Sequence, residues 1–185
     1  MLTWIIPLVA AALVLYSIVA FNRLVRARQM ANEAWSGIDV QLKRRSDLIP
    51  NLVDSVKGYA AHERDVLTQV TELRGAARAL PADAVGRRAE AEGALSLALG
   101  KLMAVAEAYP DLKASGNFLA LQQELSGLEN EIQMARRYYN GTVRDLNVMV
   151  ESFPSLIVAR LFGFTRAEYF QLDDAAERVA PTIKV

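Results

Sequence analysis

From Leu2 to Phe21 the chain reads LTWIIPLVAAALVLYSIVAF, twenty residues without a charge. As an α-helix such a run is about 30 Å long, the thickness of a bilayer's hydrocarbon core. No other feature constrains the fold as strongly, because a segment in lipid must satisfy its backbone amides internally, and a lone segment does so only as a helix. Trp4, Tyr16 and Phe21 supply the aromatic residues of the span, and Trp4 and Phe21 lie near its ends, where rings favour the interface. Pro7 falls early, where helical amides lack partners anyway. A cleaved signal peptide is the rival reading. Such peptides open on basic residues and carry a shorter apolar core. Here nothing basic precedes the run, and Arg23, Arg26 and Arg28 follow it. A retained anchor is expected. Positive flanks stay on the cytoplasmic side, so the expected topology is single-pass, with the N-terminus outside and the C-terminal domain in the cytoplasm.

The whole chain has 185 residues, 52% of them apolar, a formal net charge of zero and no cysteine. The charge balance gives no reason to expect a nucleic-acid partner. Without cysteine, disulfide scaffolds, thiolate catalysis and Cys-based metal centres are excluded.

Beyond the span the periodicity is helical. Trp35, Ile38, Leu42, Ile49, Leu52, Val56, Tyr59, Val66, Val70 and Leu73 recur at steps of three, four or seven residues. Leu80 to Val85 reads as a turn with Asp83 as a candidate N-cap, and a helix follows to about Tyr109. Tyr109 to Asn117 reads as a loop, with Asn117 as the next N-cap. A last amphipathic stretch carries Phe118, Leu121, Leu125, Leu128, Ile132, Tyr139, Val143, Leu146 and Val150, is weakened at Asn140-Gly141, and ends at Pro154. The expected fold is all-α, a single N-terminal transmembrane helix followed by an up-and-down antiparallel helical bundle. The expected division is an anchor over 1–22, a bundle over 23–152, an aromatic-rich tail over 153–172 and a polar, frayed end over 173–185.

Pro50, in SDLIPNLVDSV, poses a choice. A new helix capped by Ser46 or Asp47 would hold it in a first turn at no cost. A continuing helix would set its ring against the Ser46 carbonyl, at about 3 kcal/mol. The apolar spacing stays in phase across it, which favours continuity. Length matching favours a break, since Arg23 to Leu80 as one helix would run about 85 Å against about 40 Å for the next. A turn near Ser46 is expected, giving four helices and an aromatic tail beside the bilayer.

Four stretches, NRLVRARQMANEAWSGIDVQLKRRSDLIPNLVDSVKGYAAHE (22–63), YPDLKASGNFLALQQELSGLENEI (109–132), RRYYNGTVRDLN (136–147) and FPSLIVARLFGF (153–164), resemble the LemA family of bacteria. The resemblance implies a single transmembrane helix ahead of a helical-bundle domain at the bacterial inner membrane. It supplies no enzymatic chemistry. A magnetosome membrane protein is similar to this family, which points toward membrane organisation by analogy alone.

Candidate chemistry is sparse. His62 is the only histidine, and HERDV at 62–66 lacks the second histidine of HExxH. No paired acid and base, phosphate loop or triad emerges. No cofactor and no small-molecule substrate is expected, and the protein is expected not to be an enzyme. Lys43, Arg44 and Arg45 are candidate contacts to anionic headgroups or to an assembly partner, against the plainer reading of cations at a helix C-terminus. Asn32, Asn51, Tyr139 and Asn147 are candidates for a polar layer within the bundle. In the tail, Phe162, Phe164, Tyr169 and Phe170 either cover one end of the bundle or form a membrane or assembly contact. The expected function is a membrane-anchored scaffold acting through self-assembly and through contacts with lipid, with further copies of itself and with other membrane proteins. The alternative is a sensor coupled to an envelope partner.

Overall fold

The computed structural model describes residues 2–60 and 62–171, so the expected polar end over 173–185 lies outside the described residues. Its elements are α1 (Leu2–Lys57), α2 (Arg64–Ala79), α3 (Val85–Glu107), the single turn α4 (Pro110–Lys113), α5 (Gly116–Glu151) and α6 (Ser155–Leu161). No strand occurs among the described residues. The chain divides into two compact units. Unit 1 comprises Met1–Ile38 and Met134–Tyr169, and unit 2 comprises Asp39–Gln133 and Phe170–Val185.

The expected turn near Ser46 is absent: α1 runs unbroken through Pro50 to Lys57. The physical reason lies in unit 2. Proline has no N–H, so the Ser46 carbonyl loses the donor four residues ahead of it. Arg74 on α2 supplies a replacement, its Nε donating to Ser46 O at 2.5 Å. The polar cost of the proline is thereby met from a neighbouring helix, and the in-phase apolar stripe can continue. Asp47 consequently caps nothing and is exposed in mid-helix, where it meets Arg78 at 3.4 Å. The chain instead breaks at Gly58, whose N–H reaches back to Asp54 O, and Ala60 is fully buried just beyond.

Unit 2 is an up-and-down bundle. The chain reverses between Lys57 and Arg64, and Arg74 and Arg78, well past that break, lie beside Ser46 and Asp47, well before it, so α2 runs back antiparallel to α1. Arg88 and Glu92 of α3 meet Asp39 and Arg45, which sets α3 parallel to α1, and α5 returns. Its core gathers Ile49, Leu52 and Val56 from α1, Val70 from α2, Leu95 and Leu102 from α3, and Phe118 and Leu125 from α5. Removing this apolar surface from water drives the association of the helices. Two expected caps fail here. Ala84, not Asp83, occupies the N-cap of α3, and Asn117 lies inside α5. The expected loop after Tyr109 contains α4, which Pro110 opens at a position suited to proline.

In unit 1, Ala20, Leu24, Ala27, Ala31, Ala34 and Ile38 of α1 are buried at four- and three-residue steps. Four alanines in that stripe permit close helix approach. The returning part of α5 buries Tyr139, Val143, Leu146 and Val150, and passes through Asn140-Gly141 without a break. Trp35 and Tyr139 lie level, their ring centroids 5.3 Å apart.

Candidate functional site

The transition from exposed span to packed helix is sharp. Trp4 to Tyr16 are exposed throughout, and burial first becomes complete at Ala20. An apolar helix surface without protein cover is what a lipid-facing segment requires. Of the described helices, α1 alone is long and apolar enough to cross a membrane. Arg23, Arg26 and Arg28 follow it on exposed positions.

At this transition the chain folds back onto α1. Beyond α5, the α6 helix buries Val158 and Ala159 and ends in a Schellman arrangement. The Gly163 N–H bonds to Arg160 O, and the Phe164 N–H bonds to Ala159 O at 2.9 Å. Gly163 takes φ 69°, a conformation a side chain would strain. This reversal sends two phenylalanines to different fates. Both rings meet Phe21, Phe162 at 4.8 Å and Phe164 at 5.7 Å between centroids. Phe162 remains exposed, whereas Phe164 is buried, with the Arg28 guanidinium 5.0 Å from its ring centre. That last contact is a cation–π attraction.

Residues 164–169 then run back along unit 1, held by two neutral side chains of α5. Asn147 donates Nδ2–H to Ala167 O at 3.0 Å and accepts the Ala167 N–H on Oδ1 at 2.8 Å. Tyr139 donates its hydroxyl to Glu168 O at 2.8 Å. Burial, and secondarily the charge of Glu168, pushes the Tyr139 hydroxyl up to about 12, so it stays a donor across the neutral range. Tyr139 and Asn147 are therefore buried polar residues, but they tie down the tail. Asn32 and Asn51, grouped with them from the sequence, are exposed and belong to no polar layer.

Unit 2 contains a charged knot. Arg45 is 1% exposed. Its Nη1 donates to Glu129 Oε1 at 2.6 Å and to Ser96 Oγ at 2.8 Å, and its Nη2 pairs with the Glu92 carboxylate. Burial opposes the charge, but attraction and hydrogen bonds from Glu129 and Glu92 outweigh it, so the guanidinium pKa lies above its ordinary value. Arg45 is thus a tie between α1, α3 and α5, and neither a helix-terminal cation nor a residue free to meet a headgroup. Lys43 and Arg44 beside it are exposed.

Of the aromatic tail residues, Phe162 is exposed, Tyr169 is half-buried, and Phe164 and Phe170 are buried. The last two cannot touch lipid in this fold. Sequence reasoning overlooked Glu92, Glu129 and Arg74. A signal for Glu92 existed: it shares the stripe of Ala89, Leu95 and Leu99, so a carboxylate falls on the face that must be buried. It also overlooked Ile157 and Leu161, which with the tail aromatic Phe153 are exposed on and beside α6. Among the described residues no group of three or more His, Asp or Glu side chains is placed to hold a metal ion.

Residues 34–185 match the sequence profile of the LemA family. The chain is 30% identical over 158 residues to Protein LemA of Metamycoplasma hominis, covering 85% of this chain and 71% of that protein. It is 27% identical over 181 residues to Magnetosome protein MamQ 2 of Paramagnetospirillum magneticum, and 25% identical to Magnetosome protein MamQ of Magnetospirillum gryphiswaldense. Those alignments cover 85% of this chain and 66% of each magnetosome protein, just under two thirds of their length. With its long apolar N-terminal helix and all-helical body, the chain belongs to the LemA family.

Proposed function

We propose that this protein is a non-enzymatic, membrane-anchored scaffold, acting through self-assembly and through contacts with lipid and neighbouring membrane proteins. One observation carries the reading. The exposed apolar span and the packed stripe that starts at Ala20 belong to one continuous helix, α1. An anchor that continues directly into a packed helix suits a protein that positions things at a membrane. The chemistry supports the same reading, since the buried Arg45, Tyr139 and Asn147 are engaged in internal ties. The magnetosome names of two relatives are in keeping with a role in organising a membrane compartment.

The arginine flank after the span favours a cytoplasmic body at the inner membrane, with the N-terminus outside. Because the chain has no cysteine, single cysteines report on this cleanly. A cysteine at exposed Lys101 should resist impermeant thiol reagents in spheroplasts, and labelling from outside would reverse the topology. Self-assembly is tested by sizing the full chain in mild detergent and imaging it in lipid. Oligomers that survive dilution and ordered arrays support the scaffold. A strict monomer in both settings would sink it.

A further inference from the structure

The outward face of α6 is apolar where a water-facing helix would be polar. Phe153, Ile157 and Leu161 stand four residues apart, so they share one face of the short helix and its entry. They are 78%, 60% and 77% exposed, and Phe162 is 54% exposed. The opposite face carries the buried Val158 and Ala159. Together the four exposed side chains make an apolar patch of roughly 400–500 Å², at the upper end of what a water-soluble surface tolerates.

The position of this patch identifies what covers it. Phe162 sits edge-on to Phe21, the last residue of the uncharged run. The patch is therefore continuous with the lipid-facing surface of α1 and lies at the level where the span meets the headgroups. Its cations fit that level. Arg160 is exposed on α6, and Arg23 and Arg26 are exposed on the adjoining turns of α1. Long basic side chains reach headgroup phosphates while their stems stay against apolar surface.

We infer that α6 is a second membrane contact: it lies in the bilayer interface beside the α1 span, with Phe153, Ile157, Leu161 and Phe162 in the acyl boundary and Arg160 on lipid phosphates. This rests on the anchor reading of α1 and adds to it. One transmembrane helix alone is free to tilt and to spin about its axis. A lateral foot bound to the same leaflet fixes both motions, and hence the direction in which the body faces along the membrane. Gly163 and the Asn147 clasp on Ala167 hold the foot in place from the protein side.

The test uses the full chain in vesicles of phosphatidylcholine and phosphatidylglycerol, with single cysteines carrying an environment-sensitive nitrobenzoxadiazole fluorophore. Probes go at Ile157→Cys and Leu161→Cys, at Val14→Cys within the span, and at Arg137→Cys, exposed near the Trp35 level of unit 1. Lipids bearing a nitroxide near the top of the acyl chain should quench both α6 probes at least about twofold and leave the Arg137 probe unchanged, since interfacial helices sit about 5–10 Å deep. The same quenching should fall away when Phe153 and Phe162 are both replaced by Asp. Two results overturn the inference. In one, the α6 probes stay bright and water-accessible like Arg137. In the other, they are shielded from water yet unquenched by lipid, which means a protein partner covers the face. The Val14 probe separates the two readings: quenching there with none at α6 removes the foot and keeps the anchor, whereas an unquenched Val14 removes the anchor itself.

Discussion

The two units solve the same problem in opposite ways. Each buries polar side chains that tie separate segments of the chain together. Unit 2 uses charge: Arg45, 1% exposed, gathers Glu92, Glu129 and Ser96 from two other helices. Unit 1 uses neutral groups: Tyr139 and Asn147 hydrogen-bond the backbone of a returning tail. The difference follows from what each tie must hold. A guanidinium has five donors in a rigid fork and can join three helices at once. An extended segment offers only backbone N–H and C=O, which a carboxamide matches with one donor and one acceptor.

This contrast ranks the expected effects of mutation. The largest is at Arg45. Arg45→Ala strands the buried Glu92 carboxylate and should cost about 3–5 kcal/mol of stability in denaturant unfolding. Replacing the pair together, Arg45→Met with Glu92→Leu, should return most of the loss, because removing both charges removes the desolvation penalty. A double variant no better than Arg45→Ala would mean the knot contributes more than paired burial.

Next comes Arg74, whose importance depends on a proline. Arg74→Ala should cost about 1–3 kcal/mol by leaving the Ser46 carbonyl without a donor. In a Pro50→Ala background, the restored amide can serve that carbonyl, so the same substitution should cost much less. A double-mutant cycle measures the coupling, and additivity would break the explanation for the unbroken helix.

Within unit 1, Asn147→Ala should cost about 2 kcal/mol for two hydrogen bonds, and hydrogen exchange should show the Ala167 amide losing protection. The smallest effect is at Tyr139, where Tyr139→Phe should cost about 1 kcal/mol. Its signature is pH dependence. The folded hydroxyl titrates at about 12 against 10 unfolded, so the unfolded state releases its proton first. Stability should therefore fall as pH rises from 10 to 12, and fall less steeply in Tyr139→Phe. Identical alkaline profiles would show that the Tyr139 environment does not shift its titration.

Much of this molecule is legible in its sequence, and the failures share one cause. The span, the helical periods, the turn at 80–85 and the burial of Tyr139 all follow from local pattern, which is local physics. What was not legible are compensations made at long range. Pro50 reads as a helix breaker because nothing nearby in the sequence reveals that Arg74, 28 residues away, donates to Ser46. Lys43, Arg44 and Arg45 read as one basic cluster, yet only Arg45 falls on the stripe of Ile38, Leu42, Ile49 and Leu52, and only it is buried. That distinction could have been drawn from helical phase. The tail aromatics similarly divide by Gly163, whose positive φ turns Phe164 inward and leaves Phe162 outside.

The central claim is that anchor and bundle share one helix through Pro50. Spin labels at Val40→Cys and Lys57→Cys, both exposed on α1, test it by pulsed dipolar spectroscopy on the full chain in lipid. A continuous helix places their backbones about 25 Å apart, at 1.5 Å per residue. A single distance distribution near that value is the predicted result. A population centred well below about 15 Å would place a turn at Ser46–Pro50 and contradict the claim.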